Sequence, residues 1–306
     1  MHTSRGSRLW RRIWAARYLY LMFLPVLIYY VVFRYGPMLG LSIAFKDYNA
    51  YLGFEKSPWV GFKYFQQFFN SIYLWRLVRN TLLINLYDLL FNFPAAIVLA
   101  LLLNEVQNRR FKKTVQTITY MPYFISSVVI ASMVVQFLSP SSGIVNNIIA
   151  AMGGERQYFM VQPESFRTIY TLMNLWKNVG WNSIIFLAAI SGINGELYEA
   201  CRVDGGGHLR QTWHITLPGI AGTIVIMLIM RLGHVLDAGY ETILLLQSNP
   251  ILETSDVIGT YVYRRGLKGG EYSYATAVNM FQSVIGFAMV IIANWLSRRY
   301  SDTSLW

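Results

Sequence analysis

Arg231, His234, Asp237 and Glu241 follow one another at spacings of three, three and four within a stretch that is otherwise apolar. On a continuous helix those spacings align all four along one face. Charges at membrane depth are costly and turn toward a bundle interior or a watery cavity, so this face is expected to line a pathway or a subunit contact. A second group, Trp176, Lys177, Asn178 and Trp181, sets indole rings beside an ammonium and an amide. That mixture can stack a sugar ring and hydrogen-bond its hydroxyls, and Lys177 with Arg231 would offer positive charge to an acidic cargo. Internal pairing, Arg231 with Asp237 or Lys177 with Asp88, competes on equal terms with substrate contact.

Covalent chemistry finds no support in the residue types. There is no clustered nucleophile and no paired acid and base, so no catalytic residue is assigned. His2, His208, His214 and His234 are scattered along the chain, which gives no metal set. A phosphate-binding loop needs Gly-x4-Gly-Lys-Ser/Thr, and Gly266-Leu267-Lys268-Gly269-Gly270 lacks both the spacing and the hydroxyl. Any nucleotide must therefore be bound by another polypeptide.

The elements that would position these residues follow from composition. Of 306 residues 55% are hydrophobic and only 13% charged, against roughly a quarter charged in soluble domains. Crossing hydrocarbon takes about 20 mainly apolar residues. Six such segments are read, near 18–40, 80–103, 117–138, 166–190, 219–247 and 275–296, as one all-α membrane domain over 18–306. Cytoplasmic loops carry the Lys and Arg excess. With the N-terminus inside, the inner segments hold 13 of the 26 Lys and Arg and the outer loops 10. The inner loop 104–116 is also the shortest between spans, with Arg109, Arg110, Lys112 and Lys113 packed into it, so both termini are expected in the cytoplasm.

The net charge of +11 suggests anionic lipid rather than nucleic acid, since no folded polar domain is present to carry a nucleic-acid groove. Arg8, Arg11, Arg12 and Arg17 interleave with Leu9, Trp10, Ile13 and Trp14, which suits an interfacial helix over 1–17. No small-residue cleavage site follows the first apolar stretch, so it is read as a retained span. The single cysteine, Cys201, excludes a disulfide framework within the chain. Outside the spans, 41–79 is too short for a domain of its own, and 139–165 reads as a loop with a short helix over 144–151.

The block 191–218 is polar on average and lies between two apolar spans. Glu196, Glu199 and Asp204 precede Gly205, Gly206 and Gly207, and Trp213, Ile215 and Leu217 then restore an apolar side. A short helix, a sharp turn and a second short helix fit this order, with Pro218 opening the next span. Glu199, Ala200, Gly205, Ile215, Leu217 and Pro218 stand at the spacing Glu-Ala-Ala-x3-Gly-x9-Ile-x-Leu-Pro. Asp204 fits the common Asp-Gly pair, and Cys201 replaces the usual second alanine. In this the chain resembles the sugar-importing permeases of the binding-protein-dependent ABC type, the maltose and glycerol-phosphate permease family. Weaker echoes extend over nearly the whole chain, among them Val60-Gly61-Phe62, Asn80-Thr81, Met121-Pro122, Gly143 with Asn146, and Trp176 with Gly180.

The resemblance implies a six-helix permease of the type I importer fold in a bacterial inner membrane, with 191–218 as the loop that receives force from an ATPase. It implies a second, similar permease subunit, two ATP-binding subunits that hold ATP and Mg, and an extracytoplasmic solute-binding protein. It implies no cofactor in this chain and a saccharide cargo, acidic ones such as an oligo-alginate or other oligouronate included. A phosphorylated polyol is the alternative cargo. An ion-coupled secondary transporter using Asp237, Glu241 or His234 as relay groups is the more distant alternative, because those folds show inverted repeats and broken helices that are not apparent here.

Overall fold

The computed structural model describes residues 14–300 together with 304 and 305, so most of the expected interfacial helix lies outside the described residues. Arg17, at its described end, places its guanidinium 4.6 Å from the Tyr18 ring centroid and 5.5 Å from that of Trp14. Among the described residues helix dominates, and a single antiparallel bridge joins Lys46 to Trp59. Helices satisfy backbone N–H and C=O groups internally, which hydrocarbon requires.

Among the described residues four unbroken helices are long and apolar enough to cross a membrane: Arg17–Phe45, Leu74–Glu105, His208–Gly233 and Tyr272–Arg299. Two bent pairs join them, Arg109–Phe124 with Ser127–Phe137 at 99° and Pro163–Ser191 with Gly195–Val203 at 71°. Counting each pair as one span gives six, numbered here in chain order.

Three spans carry a proline in their interior together with a local remedy. A proline ring collides with the carbonyl four residues back and supplies no N–H. Just before Pro37, Pro94 and Pro218, the helix opens into a wide turn over Val31–Tyr35, Asp88–Asn92 and Thr212–Thr216. Gly36, Phe93 and Leu217, each immediately before its proline, donate N–H to the carbonyls of Val31, Asp88 and Thr212, five residues back. The extra residue in the turn makes room for the ring while the backbone stays bonded.

Three expectations are corrected. The third span is not straight, because the chain passes through Pro122 and an extended Ile125 before Ser126 restarts the helix by accepting from the Val129 N–H at 3.3 Å. The second helix of 191–218 is not a separate short piece: His208 begins a helix that runs unbroken to Gly233, and Pro218 falls inside it. The fifth span does not reach residue 247. Its helix ends at Gly233, and a new one, Tyr240–Leu246, starts after Gly239, whose φ of 67° only glycine adopts readily. Carbonyls freed by this break are taken by neighbouring spans: Tyr170 Oη donates to Ala238 O at 2.7 Å, and Gln282 Nε2 to Leu236 O at 2.5 Å. Arg231, His234, Asp237 and Glu241 therefore do not share one helical face.

Spans two, four and five pack through Ala96, Ala100, Phe186, Ile190 and Ile220 near the 191–218 end. At the other end Ile84, Ile130, Phe166, Tyr170 and Val257 form a second cluster. Between the two, Gly180 of the fourth span meets the backbone of the third so closely that an added Cβ would sit 2.1 Å from Thr119 O. The Ile144–Ala151 helix lies where the sequence places it, held by Asn146, whose side chain donates to Leu138 O and accepts from the Gln157 N–H. In the 41–79 segment the Tyr64 hydroxyl and Lys63 hold the Asp47 carboxyl below the usual carboxylate range. Desolvation and that same carboxylate push the Tyr64 phenol up to about 12.

Candidate functional site

The block 191–218 folds as a helical hairpin. Asn194 caps its first helix, Gly195–Val203, by accepting from the Glu196 N–H at 3.1 Å. Gly205 turns the chain at φ 76°, a conformation that costs other L-residues about 1–2 kcal/mol. The Gly206 N–H then closes back on Cys201 O at 2.7 Å, and Gln211 Nε2 donates to Gly206 O at 3.1 Å. Two further contacts brace the hairpin: Tyr198 Oη with Thr216 Oγ1 at 3.0 Å, and His208 Nδ1 with Glu105 Oε2, from the end of the second span, at 2.7 Å. Glu199, Ala200, Asp204, Gly205 and Pro218 are exposed, whereas Cys201, Ile215 and Leu217 are half-buried. Val203 and Leu209 flank the turn at 88% and 79% exposure, so the hairpin presents an apolar tip beside a rim of both charges, Glu199 and Asp204 with Arg202 and Arg210.

The same helix that leaves the hairpin carries Arg231 into a polar cavity of about 170 Å³ between spans two, four and five. Asn85 and Asp88 line it from the second span, Tyr170, Asn174 and Asn178 from the fourth, Arg231 from the fifth, and His234 and Asp237 from the turn that follows the fifth. Arg231 forms an ion pair with one oxygen of Asp88, and the other oxygen accepts from Asn92 Nδ2. Asp237 also borders two neighbouring cavities of about 410 and 350 Å³, which Asn279 and Gln282 of the sixth span line. Polar space thus converges on Asp237.

Of the sequence-derived pathway residues, Asn178, Arg231, His234 and Asp237 are brought together. Trp176 lies apart, with Met133, Phe137 and Leu172 on an apolar cavity. Lys177 Nζ donates to Ser127 Oγ at 2.9 Å, and Trp181 stacks on Tyr123 at 4.4 Å with the rings 3° from parallel. These two face the bend of the third span. Glu241 stands beyond the break and outside the cavity. Asp88, not Asp237, is the partner of Arg231, and Lys177 does not pair with Asp88. Sequence reading missed Asn85, Tyr170 and Asn174 as lining; the four-residue spacing of Asn174 and Asn178 was the available signal.

A bundle of bent apolar helices with a protruding hairpin and an interior polar cavity defines a membrane transport subunit. Residues 93–302 match the model of the binding-protein-dependent transport system inner membrane component, and the chain belongs to that family, whose members are multi-pass permeases of the inner membrane. It is 43% identical to Protein LplB of Bacillus subtilis (strain 168), with 94% of this chain and 91% of that protein covered. It is 42% identical to the polygalacturonan/rhamnogalacturonan transport system permease protein YteP of the same organism, covering 99% and 94%. Among solved structures, a chain of a bacterial alginate ABC transporter in complex with an alginate pentasaccharide-bound periplasmic protein superposes with a TM-score of 0.89. It is 46% identical, and the match covers 97% of this chain and all of the other.

Proposed function

We propose that this chain forms half of the translocation pathway of an ATP-driven importer of saccharides, acidic oligosaccharides in particular. The observation that carries the reading is the unbroken His208–Gly233 helix, which joins the 191–218 hairpin at one end to the Arg231–Asp88 pair in the polar cavity at the other. Movement imposed on the hairpin is transmitted along that helix to the cavity. Two partner ATPase subunits bind ATP and Mg and dock on the hairpin through Glu199 and its apolar tip. A second, similar permease completes the pathway, and an extracytoplasmic binding protein delivers the cargo. Both termini and the hairpin face the cytoplasm. The acidic-sugar assignment draws on the polygalacturonan and alginate specificities named for the relatives; this chain catalyses no covalent step.

The test is Gly205→Val in the complex purified with its companions. A side chain at φ 76° distorts the turn, so cargo-stimulated ATP hydrolysis and uptake are expected to fall at least tenfold while the chain still inserts. Undiminished coupling in this variant would refute the role of the hairpin.

A further inference from the structure

We infer that Arg79 and Arg167 form a receiving station for the carboxylates of an acidic saccharide, at the end of the bundle away from the hairpin. The inference rests on the saccharide reading above and adds a site outside the polar cavity.

Four arginines gather there around one buried carboxylate. Asp256, fully buried, is occupied by Arg76 at 2.9 Å, by Arg264 at 2.9 and 3.0 Å, and by the Thr260 hydroxyl at 3.1 Å. It has nothing left for Arg79 and Arg167. Arg167 Nη2 donates to Asn80 Oδ1 at 3.0 Å, and Asn80 Nδ2 donates to Glu253 O at 2.8 Å. Arg79 Nη2 reaches that same carbonyl at 3.5 Å. Both guanidiniums thus flank the Asn80 amide, and among the described residues neither has a carboxylate within ion-pair range. The Nε of each is buried without a partner.

Two half-buried guanidiniums that repel each other and have no carboxylate in direct contact, Glu253 acting on Arg167 only from beyond ion-pair range, gain from an external anion. A guanidinium presents a fork of donors suited to a carboxylate, and sugar acids carry one on each ring. The station also stands in line with the cavity. Arg167, Tyr170, Asn174 and Asn178 recur at three, four and four along the unbroken Pro163–Ser191 helix, hence on one face. On the second span Arg79 stands roughly 14 Å along the helix from Asp88 but on its opposite side, so the alignment with the cavity is supplied by Arg167 on the fourth span. An acidic ring held at Arg167 is thereby aligned with the Asn174 and Asn178 amides below it, where Asp88 already neutralises Arg231. Arg79 and Arg167 pack against Asn80 and the 253–256 turn, not on an open apolar flank, which favours a cargo over a lipid headgroup.

The test compares the whole importer, reconstituted in vesicles, carrying Arg79→Gln with Arg167→Gln or Arg79→Lys with Arg167→Lys. The probes are an oligogalacturonate and its neutral methyl ester. The glutamine pair is expected to lower the uptake of the acid at least about tenfold, since it removes two charge-assisted contacts and the loss of one alone is on the order of tenfold. Uptake of the ester and basal ATP hydrolysis should hold within twofold, and the lysine pair should keep at least half of the acid uptake. Unchanged acid uptake in the glutamine pair overturns the station and leaves the saccharide reading standing. Equal loss in the glutamine and lysine pairs also overturns it. So does a loss that wild type reproduces when phosphatidylglycerol is left out of the vesicles, because the arginines then serve lipid. Wild type that moves no oligogalacturonate overturns the acidic-cargo reading and the station with it.

Discussion

Asp88 and Arg231 meet across two spans whose sequences are far apart, their side chains 15% and 42% exposed. Removing one member of a fully buried pair costs about 3–5 kcal/mol because the other charge is stranded, and partial exposure reduces that. Asp88→Asn or Arg231→Gln should therefore destabilise the detergent-solubilised chain by about 2 kcal/mol, read as a lower thermal midpoint. The double variant should recover most of the loss, since two neutral amides leave no charge unpaired. A double variant as unstable as the two singles combined would show that the charges do not act as a pair. Both residues were visible in the sequence as span charges. Their pairing was not, because helical periodicity relates residues only within one helix.

Elements were legible where pattern and helix agree. The Ile144–Ala151 helix, the glycine turn at 205 and the positions of five spans follow from apolar length and from Gly and Pro placement. The failures lie where tertiary contacts rescue a broken backbone. The fifth span breaks at Gly233 because Tyr170 and Gln282 take up the freed carbonyls, and neither partner is local in sequence. The spacing of three, three and four among Arg231, His234, Asp237 and Glu241 therefore crosses a break and defines no common face. Gly180 is the counterpart in packing: its missing side chain lets the third and fourth spans touch. Gly180→Ala should cost about 1–3 kcal/mol by overpacking. Gly192→Ala, whose new Cβ would lie an ordinary 3.4 Å from Ala189 O, should be near neutral. Thermal unfolding of the two variants side by side checks this, and equal stability would show that the spans can separate at Gly180 without penalty.

At the scale of the whole molecule, the sole cysteine is a built-in reporter, because Cys201 sits half-buried within the hairpin. With the hairpin in the cytoplasm, a membrane-impermeant maleimide should label Cys201 in inside-out vesicles and not in right-side-out ones. Bound ATPase should slow that labelling about tenfold or more. Labelling from the opposite side would invert the topology and separate the hairpin from any cytoplasmic motor. The wide turns before Pro37, Pro94 and Pro218 carry a different consequence, for how the chain tolerates changes of length. Each holds one residue more than a regular turn, so each offsets the angular phase of everything downstream by about 100°. Deleting one residue from Asp88–Asn92 would restore a regular winding. It would also swing Ala96, Ala100 and Leu103 off their contacts by that angle, so a one-residue gap there acts on the whole lower half of the bundle as a rotation rather than a local loss.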